Sequence, residues 1–443
     1  MRLQDQVYEL YKKNICENME ENRRGALAMK EALEKSPLNY KGVMEKTLQI
    51  PKVFDRETVE HFSKITEISV RIFDKVVHEY KKNPEYRKLF PFSKELEELI
   101  LLPPSYDGNL AIARLDIFYD QSTGDFRFCE INTDGTAAMY RDLEMRKALI
   151  YNPAHKAAEE KFDLRPFELF DSWVQTFLGL YDTYDQKREH PFVVMADFLE
   201  NATIKEFEEF KRSFEKAGIQ CEICDIRTLR YTGGALYTEE GRRIDAVYRR
   251  AVTADIMDHY EEVRDFIEAV RNDDVFVAGA FQTQIIHNKW IFHVLRHEST
   301  KAFLTEEEVS FVEEHIPLTL ELSDGYISLE EVRRTKDRWI IKPMDAYASK
   351  GIYAAGKDYA QADWDRLTGD LYGKGYLCQE YCRQYMTENI DFAWGDGEWH
   401  PYINMPGLYV YNGKFAGVLM RMACGENIIV AHENERTVPV FQV

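Results

Sequence analysis

Four polar side chains stand at strand spacing inside two otherwise apolar segments: Arg114-Leu-Asp116 and, after a short turn, Glu130-Ile-Asn132. Leu110 to Tyr119 and Phe126 to Asn132 have the apolar and aromatic content of strands, and Asp120-Gln-Ser-Thr-Gly124-Asp125 between them is turn chemistry. A three-residue loop, Ser122-Thr123-Gly124, closed by a glycine bulge would pair Gln121 with Asp125, and hence Asp116 with Glu130 and Arg114 with Asn132. Opposed residues share a face, as do alternate residues, so all four groups would meet on one patch. Facing carboxylates repel unless a cation lies between them. Magnesium takes few, hard oxygen ligands and keeps phosphate oxygens in its shell, which suits Asp116, Glu130 and the Asn132 carbonyl. A solvated strand face with an internal pair between Arg114 and a carboxylate has the same spacing. Spacing alone leaves both open.

Further cations follow. Lys289, in Asn288-Lys289-Trp-Ile-Phe-His, opens a helical pattern, and Lys342 ends the apolar strand Trp339-Ile-Ile-Lys342, which Pro343 terminates. The small-residue run Asp345-Ala-Tyr-Ala-Ser349-Lys350-Gly351-Ile352 lets backbone N–H groups approach phosphate oxygens, though an ordinary turn looks similar. Gln379-Glu380-Tyr381 closes a strand with polar groups suited to hydrogen-bonding an adenine. Leu408 to Tyr411, Asn412-Gly413 and Lys414 to Arg421 form a hairpin pattern with a strong turn signal. Arg421 is a lone cation on that apolar strand, and such a charge is rarely buried without an anion.

The elements that must position these groups are legible in outline. A helix is predicted over Arg56 to Lys82, where Val59, Phe62, Ile65, Ile68, Ile72, Phe73, Val76, Val77 and Tyr80 recur at helical spacing. Thr133 to Ala138 leads into a helix through about Ile150, and helical pattern continues to about Tyr184. Pro191 to Ala196, a helix from about Thr203 to Ala217, Cys221 to Cys224, and Ile244 to Arg250 then alternate as a parallel α/β unit, which favours ligands at the carboxyl ends of its strands. Arg249 and Arg250 lie at such an end, where they suit either a substrate carboxylate or salt bridging. The divisions expected are a helical region 1–105, a part 106–150 that holds the polar hairpin, a helical linker with α/β domain 151–284, and a carboxyl-terminal part 285–443.

The chain of 443 residues has room for two or three lobes, and its net charge of -20 argues against nucleic acid and anionic membrane surfaces as partners. The N-terminus lacks a leader-like apolar core, and no segment approaches a membrane span, which points to the cytoplasm. Seven scattered cysteines are expected as free thiols. Cys221 and Cys224 have zinc-like spacing, but a strand would place them on opposite faces.

Taken together, Arg114-x-Asp116, Glu130-x-Asn132, Asn288-Lys289, Lys342-Pro343 with its loop, Gln379-Glu380 and Asn412-Gly413 through Arg421 resemble the circularly permuted ATP-grasp carboxylate-amine ligases, the synthetase domain of glutathionylspermidine synthase above all. The resemblance runs from about residue 105 to the C-terminus. Chain order carries it: ordinary ATP-grasp enzymes place the nucleotide-binding lysines before the acidic magnesium motif, and here the acidic motif comes first. The resemblance implies an α/β (α+β) architecture, a permuted ATP-grasp fold with a parallel α/β substrate domain and a helical N-terminal region. It implies ATP and Mg2+ as cofactors, with Asp116, Glu130 and Asn132 as magnesium ligands and Arg114 and Arg421 at the reacting phosphate and acyl oxygens. Lys289 and Lys342 would hold ATP phosphates, the loop with Ser349 and Gly351 would be the lid, and Gln379 to Tyr381 the adenine hinge. Arg249, Arg250 and Lys350 remain as candidate substrate contacts.

The implied chemistry is attack of a carboxylate on the γ-phosphate to give an acylphosphate, then amide formation with an amine. The partners are a small carboxylate, an amino acid or short peptide, and an amine; glutathione with spermidine is one such pair. A homodimer is left open. The lid carries Ala346, Ala348, Ser349 and Lys350 where family loops have more glycines and an acid, and Cys16 lacks an amidase context, so only ligation is expected. A kinase or ATPase on the same fold and a non-catalytic nucleotide-binding protein are the competing readings.

Overall fold

An antiparallel sheet carries Arg114, Asp116, Glu130, Asn132 and Arg421 on one face. Its strands run in the order Arg436–Val438, Lys414–Cys424, Trp399–Tyr411, Ile112–Tyr119, Phe126–Asn132, with Met386–Ile390 paired to the first part of Trp399–Tyr411. The computed structural model describes residues 1–38, 44–344, 354–426, 428–431 and 433–443. Asn412 and Gly413 turn the long hairpin with φ of 43° and 77°, the geometry that an Asn-Gly pair supplies at least cost.

The opposite face of this sheet receives the helix Arg56–Lys82, whose bounds match its apolar spacing. Asp55 caps it by accepting from the Thr58 N–H at 3.0 Å, and Asn83 with Pro84 ends it and starts the next turn. Phe62 sets its edge against Tyr119 with ring centroids 4.8 Å apart. The N-terminal helices are not a separate lobe. Strand Lys52–Phe54 pairs with Val440–Gln442, and a continuous core joins Val7 and Tyr11 to Val440 and Phe441.

The alternating segment is a four-stranded parallel sheet in the order Phe276–Ala278, Ala246–Arg249, Phe192–Asp197, Gln220–Asp225. Helix Ile204–Lys216 connects Phe192–Asp197 to Gln220–Asp225. Cys221 and Cys224 pack into different apolar clusters on its two faces, and among the described residues no cysteine is in a disulfide. The third layer is an antiparallel sheet, Thr319–Glu321, Tyr376–Glu380, Trp339–Pro343 and Ala354–Ala355. The helical pattern before Tyr184 is broken: Met139–Ala148, Pro153–Glu159 and Asp171–Tyr181 are helices, but Arg165–Pro166 is extended and pairs with Phe441–Gln442. No helix among the described residues is long and apolar enough to cross a membrane.

Lys52 is buried behind the main sheet. Its Nζ donates to Asn404 Oδ1 at 3.0 Å and lies 5.9 Å from the Tyr385 ring, and among the described residues it has no ion-pair partner. Burial therefore pulls its pKa down to about 7, only weakly opposed by Asp5. Because the unfolded chain keeps an ordinary lysine, it binds the extra proton between pH 7 and about 10.5, so Lys52's contribution to stability rises with pH across that window. Urea unfolding of the wild type and Lys52→Met should show the variant more stable at pH 6–7, with the difference shrinking by about 1–4 kcal/mol by pH 10.

Candidate active site

The site begins with a register correction. The turn after Ile112–Tyr119 has four residues rather than three: the Asp120 N–H donates to Asp125 O and the Gly124 N–H to Asp120 O, each at 2.8 Å, with Gly124 at φ 82°. Tyr119 therefore pairs with Phe126, a register that, if continued, would set Asp116 opposite Cys129 and turn Glu130 to the other face. A bulge at Cys129 absorbs the extra residue, and beyond it Asp116 faces Glu130 and Arg114 faces Asn132. The four polar groups share a patch because of the bulge, not the turn.

Arg114 holds Asp116 in a two-pronged contact, Nε to Oδ1 at 2.7 Å and Nη2 to Oδ2 at 3.0 Å. Arg421, brought in by the Asn-Gly hairpin, donates from Nη2 to Asp116 Oδ2 and lies 3.7 Å from Glu130 Oε1. Asn132 Nδ2 donates to Asp116 Oδ2 at 3.0 Å and reaches Glu130 Oε1 at 3.4 Å. Burial pushes the Asp116 carboxyl up against the pull of Arg114 and Arg421. Burial works the same way on Glu130, but Lys289, Arg421 and Arg114 outweigh it and hold that carboxyl well below the usual range.

These contacts divide the three expected metal ligands. The Asp116 side chain is wholly buried and both its oxygens already accept from guanidinium groups, so its position is that of an arginine anchor. Glu130 keeps 30% of its side chain exposed. Asn132 has Nδ2 turned to the carboxylates, and among the described residues no donor is bonded to its Oδ1, the atom that could face a cation. Among the described residues no group of three His, Cys, Asp or Glu is arranged to hold a metal ion.

Lys342 comes from the facing sheet. Its buried Nζ donates to Gln379 Oε1 at 2.7 Å and to the carbonyl of the bulge residue Cys129 at 3.3 Å, and Gln379 is fixed in turn by Thr319 Oγ1 at 2.9 Å. Lys289 lies within electrostatic reach of Glu130, just before helix Ile291–Arg296, in a turn that the Asn288 side chain closes by accepting from the Trp290 N–H. Both lysines thus converge on the hairpin. Glu380 and Tyr381 spend their N–H groups on Leu318 O and Arg338 O. Ser349, Lys350 and Gly351 lie outside the described residues.

Arg249 and Arg250 are placed otherwise than as substrate contacts. Both are buried and both have internal carboxylates, Asp134 Oδ1 at 2.8 Å from Arg249 Nη2 and Glu206 Oε1 at 2.8 Å from Arg250 Nη2. A strand end beside helix and loop carboxylates pairs its own cations before any ligand arrives.

No family model and no curated protein sequence matches this chain. Among solved structures, a glutathione synthetase-like effector from Globodera pallida superposes with TM-score 0.59 at 11% identity over 95% of this chain and 97% of that one. The chain shares its fold with that protein. A putative gamma-glutamylcysteine synthetase from Methylobacillus flagellatus matches with TM-score 0.39, 11% identity, 85% of this chain and 88% of that one, a score that establishes no common fold.

Gly407 is the site residue that motif reading passes over. It pairs with Asp116 in the adjoining strand, and a Cβ there would lie 2.4 Å from Asp116 Oδ1 and 2.8 Å from Arg114 Cδ. The signal was present: Pro406-Gly407 interrupts an apolar strand, and glycine in a strand marks close approach. Pro406 is tolerated because it falls between the stretch paired with Met386–Ile390 and the stretch paired with Ile112–Asp116, where the ladder on that side is absent. Gly407→Ala should lower unfolding free energy by about 1–3 kcal/mol in urea titration, and Gly417→Ala, whose Cβ would approach the apolar Leu169 and Phe167 side chains at 2.8 Å, is the comparison without a charged neighbour among its nearest contacts.

Proposed function

We propose that this protein is an ATP-dependent ligase of the circularly permuted ATP-grasp type, joining a small carboxylate to an amine through an acylphosphate. The observation that carries the proposal is the convergence of Arg114, Arg421, Lys289 and Lys342 on a hairpin whose open side presents Glu130 and Asn132. That the hairpin precedes both lysines in the chain supports the permuted order.

Phosphoryl transfer needs little covalent help from protein and depends on cations fixed around the moving charge. Arg114 and Arg421 are anchored by one buried carboxylate, so their charges are oriented before substrate binds and pay no reorganisation at transfer. Lys342, held by Gln379, and Lys289, which acts electrostatically on Glu130, are the residues that would hold nucleotide phosphates. The donor set fits magnesium through Glu130 and Asn132 Oδ1, with Asp116 as anchor rather than ligand, and the ion would supply charge neutralisation between phosphate groups. An acylphosphate must be shielded from water, so in this reading the site has to be closed to solvent during transfer.

For substrates, the likeness to a glutathione synthetase-like fold favours an amino acid or short peptide as the acid, with an amino acid or polyamine as the amine. Glutathione with spermidine remains one pair in that class. A coupled assay should show ADP release that requires both a carboxylate and an amine and falls at least about 100-fold in Glu130→Gln with the melting transition retained. ADP released at full rate without amine would instead identify a kinase or ATPase.

A further inference from the structure

The loop 133–138 links the hairpin to helix Met139–Ala148, and the polar side chains in it are tethered, Thr136 by donating its hydroxyl to Asn132 O at 3.1 Å. Thr133 donates its N–H to His287 Nδ1 at 3.3 Å and its hydroxyl to Thr283 O at 2.8 Å. Asp134 accepts from the Thr253 N–H and faces Arg249. Gly135, at φ 60°, passes so close to the 250–252 backbone that a Cβ would come within 2.6 Å of Val252. At the far end, the Tyr140 N–H donates to Glu206 Oε2 at 3.1 Å while Glu206 Oε1 takes Arg250.

Two consecutive arginines therefore secure opposite ends of one loop, and between those ends the loop meets the site. The carbonyl of Ala137 accepts from Arg114 Nη1 and from the Tyr409 hydroxyl, each at 3.0 Å. The orientation of that carbonyl depends on φ of Ala138, which is 83°, a left-handed conformation that an alanine rarely adopts. Such a conformation persists only where the surroundings over-determine it. Rotating φ of Ala138 to an ordinary helical value would turn the carbonyl away from Arg114.

We infer that Arg249 and Arg250 are positioning residues: through Asp134 and Glu206 they hold the strained 133–138 loop in the one conformation that aims the Ala137 carbonyl at Arg114. The inference rests on the ligase reading for Arg114's role in transfer. Breaking one partner of a buried pair is strongly destabilising, whereas apolar replacement of both is tolerated. The test therefore uses Arg249→Met with Asp134→Leu, and separately Arg250→Met with Glu206→Leu, in the full chain. Hydrogen exchange of peptides covering 133–140 and the kinetics of ADP release are measured together, each pair also in an Arg114→Ala background.

Exchange in the loop is expected to rise at least tenfold in both pairs. Turnover should drop at least tenfold with the KM for ATP changed less than twofold, and little further loss should appear once Arg114 is already alanine. Unchanged exchange, or a loss that adds in full to that of Arg114→Ala, would overturn the inference. If the wild type releases no ADP on any acid and amine, the ligase reading fails, and loop exchange alone decides whether the arginines secure the loop.

Discussion

Asp116 is a carboxylate without solvent exposure, held between two guanidinium groups, and the surrounding geometry follows from the cost of that burial. An ion removed from water loses several kcal/mol unless paired and hydrogen-bonded. Asp116 is compensated by N–H contacts from Arg114, Arg421 and Asn132, residues on three strands. Each strand must be in register for the compensation to exist. The Cys129 bulge sets one register, the Asn412-Gly413 turn a second, and the missing side chain at Gly407 lets the carboxylate and Arg114 lie flat against the middle strand.

The arrangement spreads charge rather than cancelling it. With Asp116 absorbed by two arginines, Glu130 is left as the partly open anion, and it is kept ionised by cations that come from elsewhere in the chain. Lys342 is linked to the bulge itself through the Cys129 carbonyl, so the feature that aligns the carboxylates also receives the lysine of the facing sheet. Backbone irregularity and chemistry coincide at one residue. The buried pairs of Arg249 with Asp134 and Arg250 with Glu206 follow the same rule in the parallel layer, where internal anions claim cations that a strand end would otherwise offer to a ligand.

Much of the fold was legible because its signals are local. The helix Arg56–Lys82 follows from apolar spacing, the long hairpin from Asn-Gly, and the strand Trp339–Pro343 from its apolar run and terminal proline. The facing of Asp116 and Glu130 was also anticipated, yet by a route the structure corrects, since a longer turn and a bulge offset one another. Turn length depends on whether Asp120 pairs with Asp125, a choice that neighbouring strands and the Asp120 side-chain contact with the Ser122 N–H decide together.

By itself the sequence determined which residues carry charge on apolar strands, the order of the acidic motif before the lysines, and the helical and strand periods that segregate them. Only the tertiary structure decided which cation meets which anion. Asp116 became an anchor rather than an open ligand, Arg249 and Arg250 turned inward, and Gly407 and Ala137 entered the site. The physical reason is that a buried charge takes the partners that packing brings within hydrogen-bond distance. Apart from Arg114, two residues from Asp116, those partners lie tens to hundreds of residues away, as Arg421 does from Asp116, where no local pattern can specify them.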